Sequence, residues 1–187
     1  MENTIVFLRH AKVKKELESP SEKWVLSDEG VKIIEEIVTT GIFDDVEVII
    51  SSAQKMCIQT SYFLADRLGK EIITNSDLDE IDKGTIFIEH PEDYKQQIKE
   101  VFENPNESIR EWEPASVALK RYQRGMDIIN RDYSHQKILI VSHGIVMNLY
   151  FNYLLKESQD KLLQRYLSLK SCAWGVVIGN TVEKDFV

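Results

Sequence analysis

The sequence predicts an α/β fold in which a doubly wound, mostly parallel sheet is flanked by helices. Short apolar runs rich in isoleucine and valine indicate strands covered on both faces, because they lack strict alternation with polar residues. Amphipathic segments with capping residues lie between these runs, and this alternation is typical of a parallel sheet. The chain has 187 residues, so we expect one domain over residues 1–187 with an insertion at about 79–114.

The predicted elements follow one another in a regular order. The predicted strands are 4–8, 46–50, 71–74, 137–141 and 172–179. The predicted helices are 27–41, 51–69, 116–132 and 144–156, and the second of them opens at Ser51 or Ser52. Residues 79–113 are the least regular part and contain a short helix at 94–102. Because loops at the carboxyl ends of parallel strands carry function, this insertion is a candidate lid or substrate-binding segment.

Composition and charge restrict the class of protein. Apolar residues make up 43% of the chain and charged residues 29%, with a formal net charge of -8. An acidic chain is a poor partner for nucleic acid or an anionic membrane, so we expect neither.

The two cysteines, Cys57 and Cys172, form no C-x-x-C pair, which disfavours a disulfide framework or a zinc knuckle. Without a signal-peptide pattern or a membrane-spanning run, the sequence favours a cytoplasmic protein. It leaves the oligomeric state open.

Two histidines follow two of the predicted strands at the point where each strand ends. Arg9 and His10 come directly after the first strand, and His143 follows the fourth strand. If the two strands are neighbours, both imidazole rings face one crevice at the carboxyl edge of the sheet. The alternative is that the two histidines are unrelated and bind nearby backbone groups.

This set of side chains suits a phosphoryl group. The guanidinium of Arg9 offers paired hydrogen bonds to phosphate oxygens, and a neutral imidazole can attack phosphorus. The turn at Ser51 and Ser52 would add free backbone N–H groups at a helix N-terminus. The cations and N–H dipoles stabilise the developing charge in this arrangement, so no metal or other cofactor is required.

The motifs "LRHA", "LSDEG", "SSAQKMCIQT", "LDEIDKG" and "VSHG", in this order, resemble the histidine phosphatase superfamily. The resemblance implies a phosphoglycerate-mutase-like three-layer sandwich with a helical insertion. It implies that His10 is the nucleophile that becomes phosphohistidine, and that Arg9 and His143 bind the phosphoryl group. Glu80 matches the general acid, and Gly144, within "VSHG", is counted with the phosphate-binding residues.

The sequence departs from the family pattern at one position of the phosphate pocket. Where the family usually has a second arginine, this chain has Met56, and the "QT" that follows fixes the register. Lys12 and Lys14 are candidate replacement cations, although a lysine cannot reproduce the paired hydrogen bonds of a guanidinium. The loop after Gly84 also lacks a second glycine that the family often has. Glu80 could therefore be a solvated acid instead of a catalytic one.

Three functions fit these residues. The first is a metal-independent phosphomonoesterase that acts on a small phosphorylated substrate through phosphohistidine. The second is a weakly active or inactive module that binds a phosphorylated ligand, which Met56 favours. The third is a phosphoglycerate-type mutase, which the short, acidic chain disfavours. Outside the motifs, Arg121 and Arg124 are expected on a solvated helix face.

Overall fold

Eight strands and six α-helices are present in the computed structural model, which describes residues 2–16 and 19–186. The strands are β1 (Thr4–Arg9), β2 (Val13–Lys14), β3 (Val25–Leu26), β4 (Val48–Ser51), β5 (Ile72–Thr74), β6 (Lys137–Ser142), β7 (Trp174–Ile178) and β8 (Thr181–Lys184). The helices are α1 (Asp28–Thr39), α2 (Lys55–Leu68), α3 (Pro91–Glu103), α4 (Ala115–Asp132), α5 (Gly144–Leu155) and α6 (Gln159–Ser168). None of these helices is long and apolar enough to cross a membrane.

Six of the strands form a mixed sheet in the order β5-β4-β6-β1-β7-β8, and β2 pairs with β3 separately. Strands β5, β4, β6 and β1 are parallel, while β7 and β8 run antiparallel to their neighbours. The prediction of a mostly parallel sheet is therefore confirmed. Strand β1 lies directly beside β6, with Arg9 in register with Ser142. The two strands that precede the histidines are thus neighbours.

The helices cover both faces of this sheet and produce three layers. Along β1, Ile5 and Phe7 face one core cluster, which also contains residues of α3, α4 and α5. The alternate residues, Val6 and Leu8, face the other cluster, which contains residues of α1 and α2. This alternation follows from the two-residue period of a strand. It explains the unbroken apolar runs, since a strand covered on both faces needs apolar residues at every position.

The structure adds three features that the sequence analysis did not predict: the β2–β3 pair, helix α6 and strand β8. It also corrects the start of the second helix. Helix α2 begins at Lys55 with Gln54 as its N-cap, whereas the sequence indicated Ser51 or Ser52. The difference arises because β4 continues to Ser51 and the side chain of Ser52 is engaged elsewhere.

The insertion leaves the sheet after β5 and returns to it through α4. Its first part is irregular, and its helix α3 begins with Pro91, a residue that suits the first turn because its missing N–H would be unpaired there anyway. Ile98, Val101 and Phe102 of α3 are buried in the same cluster as the buried residues of α4. The helix therefore anchors the insertion, and the irregular residues before it line the carboxyl edge of the sheet.

Candidate active site

A pocket of about 1710 Å³ opens at the carboxyl edge of β1, β4 and β6. Its lining includes Arg9, His10, Met56, Glu80 and His143. The ring centroids of His10 and His143 are 5.1 Å apart and the ring planes meet at 61°. The prediction that the two histidines share one crevice is confirmed, and the alternative of two unrelated strand-end histidines is wrong.

His10 is held in one tautomer by the backbone. Its Nδ1 lies 2.8 Å from the carbonyl oxygen of Ala11, which only accepts, so Nδ1 carries the proton and Nε2 has a free lone pair. The N–H of Ala11 donates to the hydroxyl of Thr60 at 3.0 Å, which gives the "QT" motif a structural role. Burial, and then the positive charge of Arg9, lower the pKa of His10 to about 3. The imidazole is therefore neutral at physiological pH.

His143 is held through a chain of hydrogen bonds from Asp79. The hydroxyl of Ser52 donates to Asp79 Oδ1 at 2.6 Å and lies 2.8 Å from His143 Nε2. Since the hydroxyl proton is used on the carboxylate, Nε2 of His143 carries a proton and donates it to the Ser52 oxygen. Burial, together with the charge of His10, lowers the pKa of His143 well below its ordinary value. The two histidines thus adopt opposite tautomers.

These tautomers can be observed directly. In long-range ¹H–¹⁵N spectra of the free protein, we expect a protonated Nδ1 for His10 and a protonated Nε2 for His143. Because burial lowers the pKa of both, neither ring should titrate between pH 8 and pH 5. Loss of the His10 signals in a His10→Ala variant assigns that ring. A midpoint near pH 6.5 for either ring, or the same tautomer in both, would contradict the geometry.

Arg9 presents its guanidinium at the base of the pocket. Its Nη1 donates to the carbonyl oxygen of Leu169 at 2.8 Å. Its Nε is buried against Gly144 and has no hydrogen-bond partner among the described residues. A side chain at Gly144 would bring a Cβ within 3.2 Å of this Nε. Gly144 therefore leaves room for the guanidinium, while its predicted contact with phosphate stays a prediction.

Asp79 and Glu80, two of the three acids of the "LDEIDKG" motif, lie at the pocket and have different partners. The carboxylate of Glu80 accepts N–H bonds of 3.1 Å from Ile81, Ile145 and Val146, two of which belong to the first turn of α5. Glu80 is thus ordered at the pocket, and its role as general acid stays a prediction. Burial raises the pKa of Asp79. The sequence analysis missed Asp79, and its only signal was the adjacent pair of acids.

The turn before α2 already has an anionic partner within the protein. The N–H of Ala53 donates to Asp79 Oδ1 at 2.7 Å, and the N–H of Gln54 donates to the Ser52 hydroxyl at 3.1 Å. Ser51 is buried at the end of β4, where its hydroxyl donates to the carbonyl of Ser52. The expectation that Ser51 and Ser52 open a helix whose free N–H groups bind an anion is therefore wrong for these two N–H groups.

Met56 is buried in the first turn of α2, and it lines the pocket where the family pattern has an arginine. The two candidate replacement cations lie elsewhere. Lys12 forms an ion pair with Glu29, and neither Lys12 nor Lys14 lines the pocket. Lys83, from the insertion, does line it and was not singled out by the sequence analysis.

The two arginines of α4 have different surroundings. Arg121 was expected on a solvated face, but its side chain is only 20% exposed and pairs with Glu113. It also donates to carbonyl groups in the segment 76–80, at 2.9 Å for Asp77 and 3.0 Å for Asp79. Arg121 therefore braces the segment that carries the two acids. Arg124 is 66% exposed, as expected.

Comparison with known proteins identifies the family that the sequence motifs resemble. The chain resembles a mycobacterial glucosyl-3-phosphoglycerate phosphatase structure, with 16% identity, a TM-score of 0.79 and coverage of 97% of each chain. It also resembles phosphoserine phosphatase from Entamoeba histolytica (16% identity, TM-score 0.71, 98% of each chain). Phosphoglycerate mutase from Bacillus anthracis is 14% identical, with a TM-score of 0.77 over 99% of this chain and 94% of that one. No protein with a curated description matches the sequence. The family model for the histidine phosphatase superfamily (branch 1) matches residues 5–181, and the chain belongs to this superfamily.

Proposed function

We propose that the protein is a metal-independent phosphomonoesterase that forms a phosphohistidine at His10. The observation that carries this proposal is the neutral imidazole of His10, whose lone pair on Nε2 is free beside His143 and Arg9. A merely structural histidine does not need an unpaired nitrogen at the base of a pocket. The three similar structures named above include two phosphatases and a mutase of phosphorylated small molecules, which supports a small phosphomonoester as substrate.

The proposed reaction has two steps. In the first, Nε2 of His10 bonds to phosphorus, the bond from phosphorus to the alcohol oxygen breaks, and Glu80 gives that oxygen a proton. In the second, water bonds to phosphorus, the N–P bond breaks, and the water proton returns to Glu80. Arg9 and His143 bind the non-bridging oxygens, and the negative charge of the phosphoryl group favours a protonated His143. Ser52 and Asp79 keep that ring in place.

Trapping of the phosphoenzyme tests the proposal. After rapid quenching with ³²P-labelled phosphomonoester, we expect label that is stable in alkali and lost in acid, as a phosphoramidate bond would be. Hydrolysis of p-nitrophenyl phosphate between pH 5 and pH 8 should survive a strong chelator. Loss of turnover with the chelator and its recovery with a divalent metal would contradict the mechanism, and so would label that remains in a His10→Ala variant.

A second candidate is a weakly active or inactive member that binds a phosphorylated ligand. The buried Met56 favours it, because one guanidinium fewer weakens the stabilisation of the transferring group. Under this alternative the wild-type protein binds orthovanadate or phosphate but releases little or no p-nitrophenol. A mutase has less support, and it would convert one phosphate isomer of its substrate into another without net release of phosphate.

A further inference from the structure

We propose that Lys83 supplies the second phosphate-binding cation of the pocket, in place of the arginine that Met56 replaces. The inference rests on the proposed function, because it concerns how the same pocket binds the phosphoryl group. It assigns a binding role to the lysine of the "LDEIDKG" motif, a residue of the insertion that the sequence analysis did not single out. Four observations support it.

The first observation is where the ammonium group lies. Lys83 is half-buried and lines the pocket with Arg9 and both histidines. Its Nζ lies 5.5 Å from the ring centroid of Tyr94 and 5.7 Å from that of Trp112. Aromatic faces attract a cation without neutralising it. The two rings therefore lie beside the ammonium group and leave its charge available. The exposed Lys15 approaches Tyr94 as well, with its Nζ 5.9 Å from the ring centroid, but it is not near Trp112.

The second observation is that no carboxylate competes for this charge. In residues 2–16 and 19–186, no acidic side chain lies within ion-pair distance of Lys83, whereas Arg121 pairs with Glu113 and Arg124 with Asp77. A phosphoryl group that enters the pocket therefore meets an unpaired cation. Binding it does not require an existing ion pair to be broken.

The third observation is that the charge of Lys83 reaches both histidines. Its positive charge is among the causes that lower the pKa of His10 and of His143. For both rings the effect of Lys83 is smaller than that of burial, and its direction is that of a positive charge in the same pocket. The other lysines of the pocket lining are exposed and are not among these causes; they are Lys15, Lys23 and Lys55.

The fourth observation is that the loop carrying Lys83 is fixed. Gly84 has a φ of 60°, and a Cβ there would lie 2.8 Å from the Cβ of Glu111. The next residue, Thr85, donates its hydroxyl to the Glu111 carboxylate at 2.8 Å. On the N-terminal side of Lys83, the carboxylate of Glu80 accepts hydrogen bonds from N–H groups in the first turn of α5. Lys83 is therefore presented from a segment tied at both ends.

The test compares five variants with the wild type in p-nitrophenyl phosphate hydrolysis: Lys83→Met, Lys83→Arg, Lys14→Met, Met56→Arg and Met56→Arg/Lys83→Met. Lys83→Met should lower kcat/KM by about 10²–10³-fold, which is typical for removal of one preorganised donor. Lys83→Arg keeps the charge and should retain activity within about tenfold. Lys14→Met makes the same charge change outside the pocket and should have no effect. With Met56→Arg present, Lys83→Met should lower kcat/KM by less than about tenfold, since the new guanidinium supplies the missing charge.

A binding measurement separates this role from a structural one. The inhibition constant of orthovanadate should rise for Lys83→Met in parallel with the loss of kcat/KM, while the far-UV circular dichroism spectrum and the unfolding midpoint stay at their wild-type values. A Lys83→Met variant within about threefold of wild type would overturn the proposal. An equal loss of kcat/KM on removing Lys83 with Met56 present and with Met56→Arg present would also overturn it. So would a wild-type protein that is inactive until Met56→Arg is introduced. Turnover that persists in His10→Ala would instead contradict the proposed function itself.

Discussion

Replacing His10 by alanine is expected to lower the rate of phosphomonoester hydrolysis by about 10⁴–10⁶-fold, the range seen when a covalent nucleophile is removed. The size of the effect follows from the geometry. Arg9 and His143 remain in the pocket of the variant, but the Nε2 lone pair of His10, which attacks phosphorus in the proposed reaction, is lost. The measurement is the initial rate of p-nitrophenol release at saturating substrate, with rapid-quench labelling in parallel.

The matched control for this experiment is His135→Asn. His135 is exposed in the turn before β6 and has a φ of 60°, a backbone conformation that asparagine tolerates. Its replacement should leave the rate at the wild-type value. The His10→Ala variant should keep its affinity for orthovanadate within about tenfold, because the cations that bind an anion remain. If His10→Ala retains the wild-type rate and the label, the nucleophile lies elsewhere.

Replacing Gly30 by alanine is expected to destabilise the fold and to displace the loop that follows His10. Gly30 lies in the first turn of α1, where its N–H donates to the hydroxyl of the N-cap Ser27 at 3.1 Å. A Cβ on Gly30 would overlap the carbonyl oxygen of Lys12 and would lie 2.9 Å from its nitrogen. Alanine is favoured over glycine in a helix by about 1 kcal/mol, but overpacking against backbone costs about 1–3 kcal/mol or more. The overlap should therefore outweigh the helix propensity.

The measurement for Gly30→Ala is urea unfolding together with kcat. We expect the free energy of unfolding to fall by about 1–3 kcal/mol and kcat to fall as well, since Lys12 is two residues from the nucleophile. Gly69→Ala is the control. Gly69 has a φ of 62°, which strains an alanine, but apart from its chain neighbours no described atom lies within 4 Å of its Cβ position. It should lose stability without losing kcat. An unchanged or increased stability of Gly30→Ala would show that the loop tolerates the side chain.

Much of the fold and the centre of the site could be predicted because each rests on local patterns. The strand runs before Arg9 and His143 are buried on both faces, and this makes their sequence unbroken and apolar. The parallel sheet then places both strand ends at one edge, so the pairing of His10 with His143 follows from topology. The replacement of the family's second arginine by Met56 could be predicted because the "QT" motif fixes the alignment of this segment with the family pattern.

The remaining parts of the site depend on contacts between distant segments, which no local pattern contains. Ser52 and Asp79 are 27 positions apart, and their hydrogen bond decides the tautomer of His143. The start of α2 was misplaced because serine is a good N-cap in general, whereas this serine bonds to a carboxylate from another loop. Arg121 looked solvated because only the three-dimensional path of segment 76–80 gives it carbonyl partners.

The short stretch from Asp79 to Lys83 has a consequence for how this protein could diverge. Within five positions it orients one histidine through Ser52, caps α5 through Glu80 and supplies an aromatic-flanked cation. Arg121 donates to the carbonyl groups of Asp79 and Glu80, so the backbone that carries these two acids is fixed to α4. Under the proposed function, exchange of the whole insertion should therefore lower turnover. Variation confined to residues after Gly84, where Ile86 and Phe87 are exposed at the pocket, offers a route to new substrate preferences with the reacting groups intact.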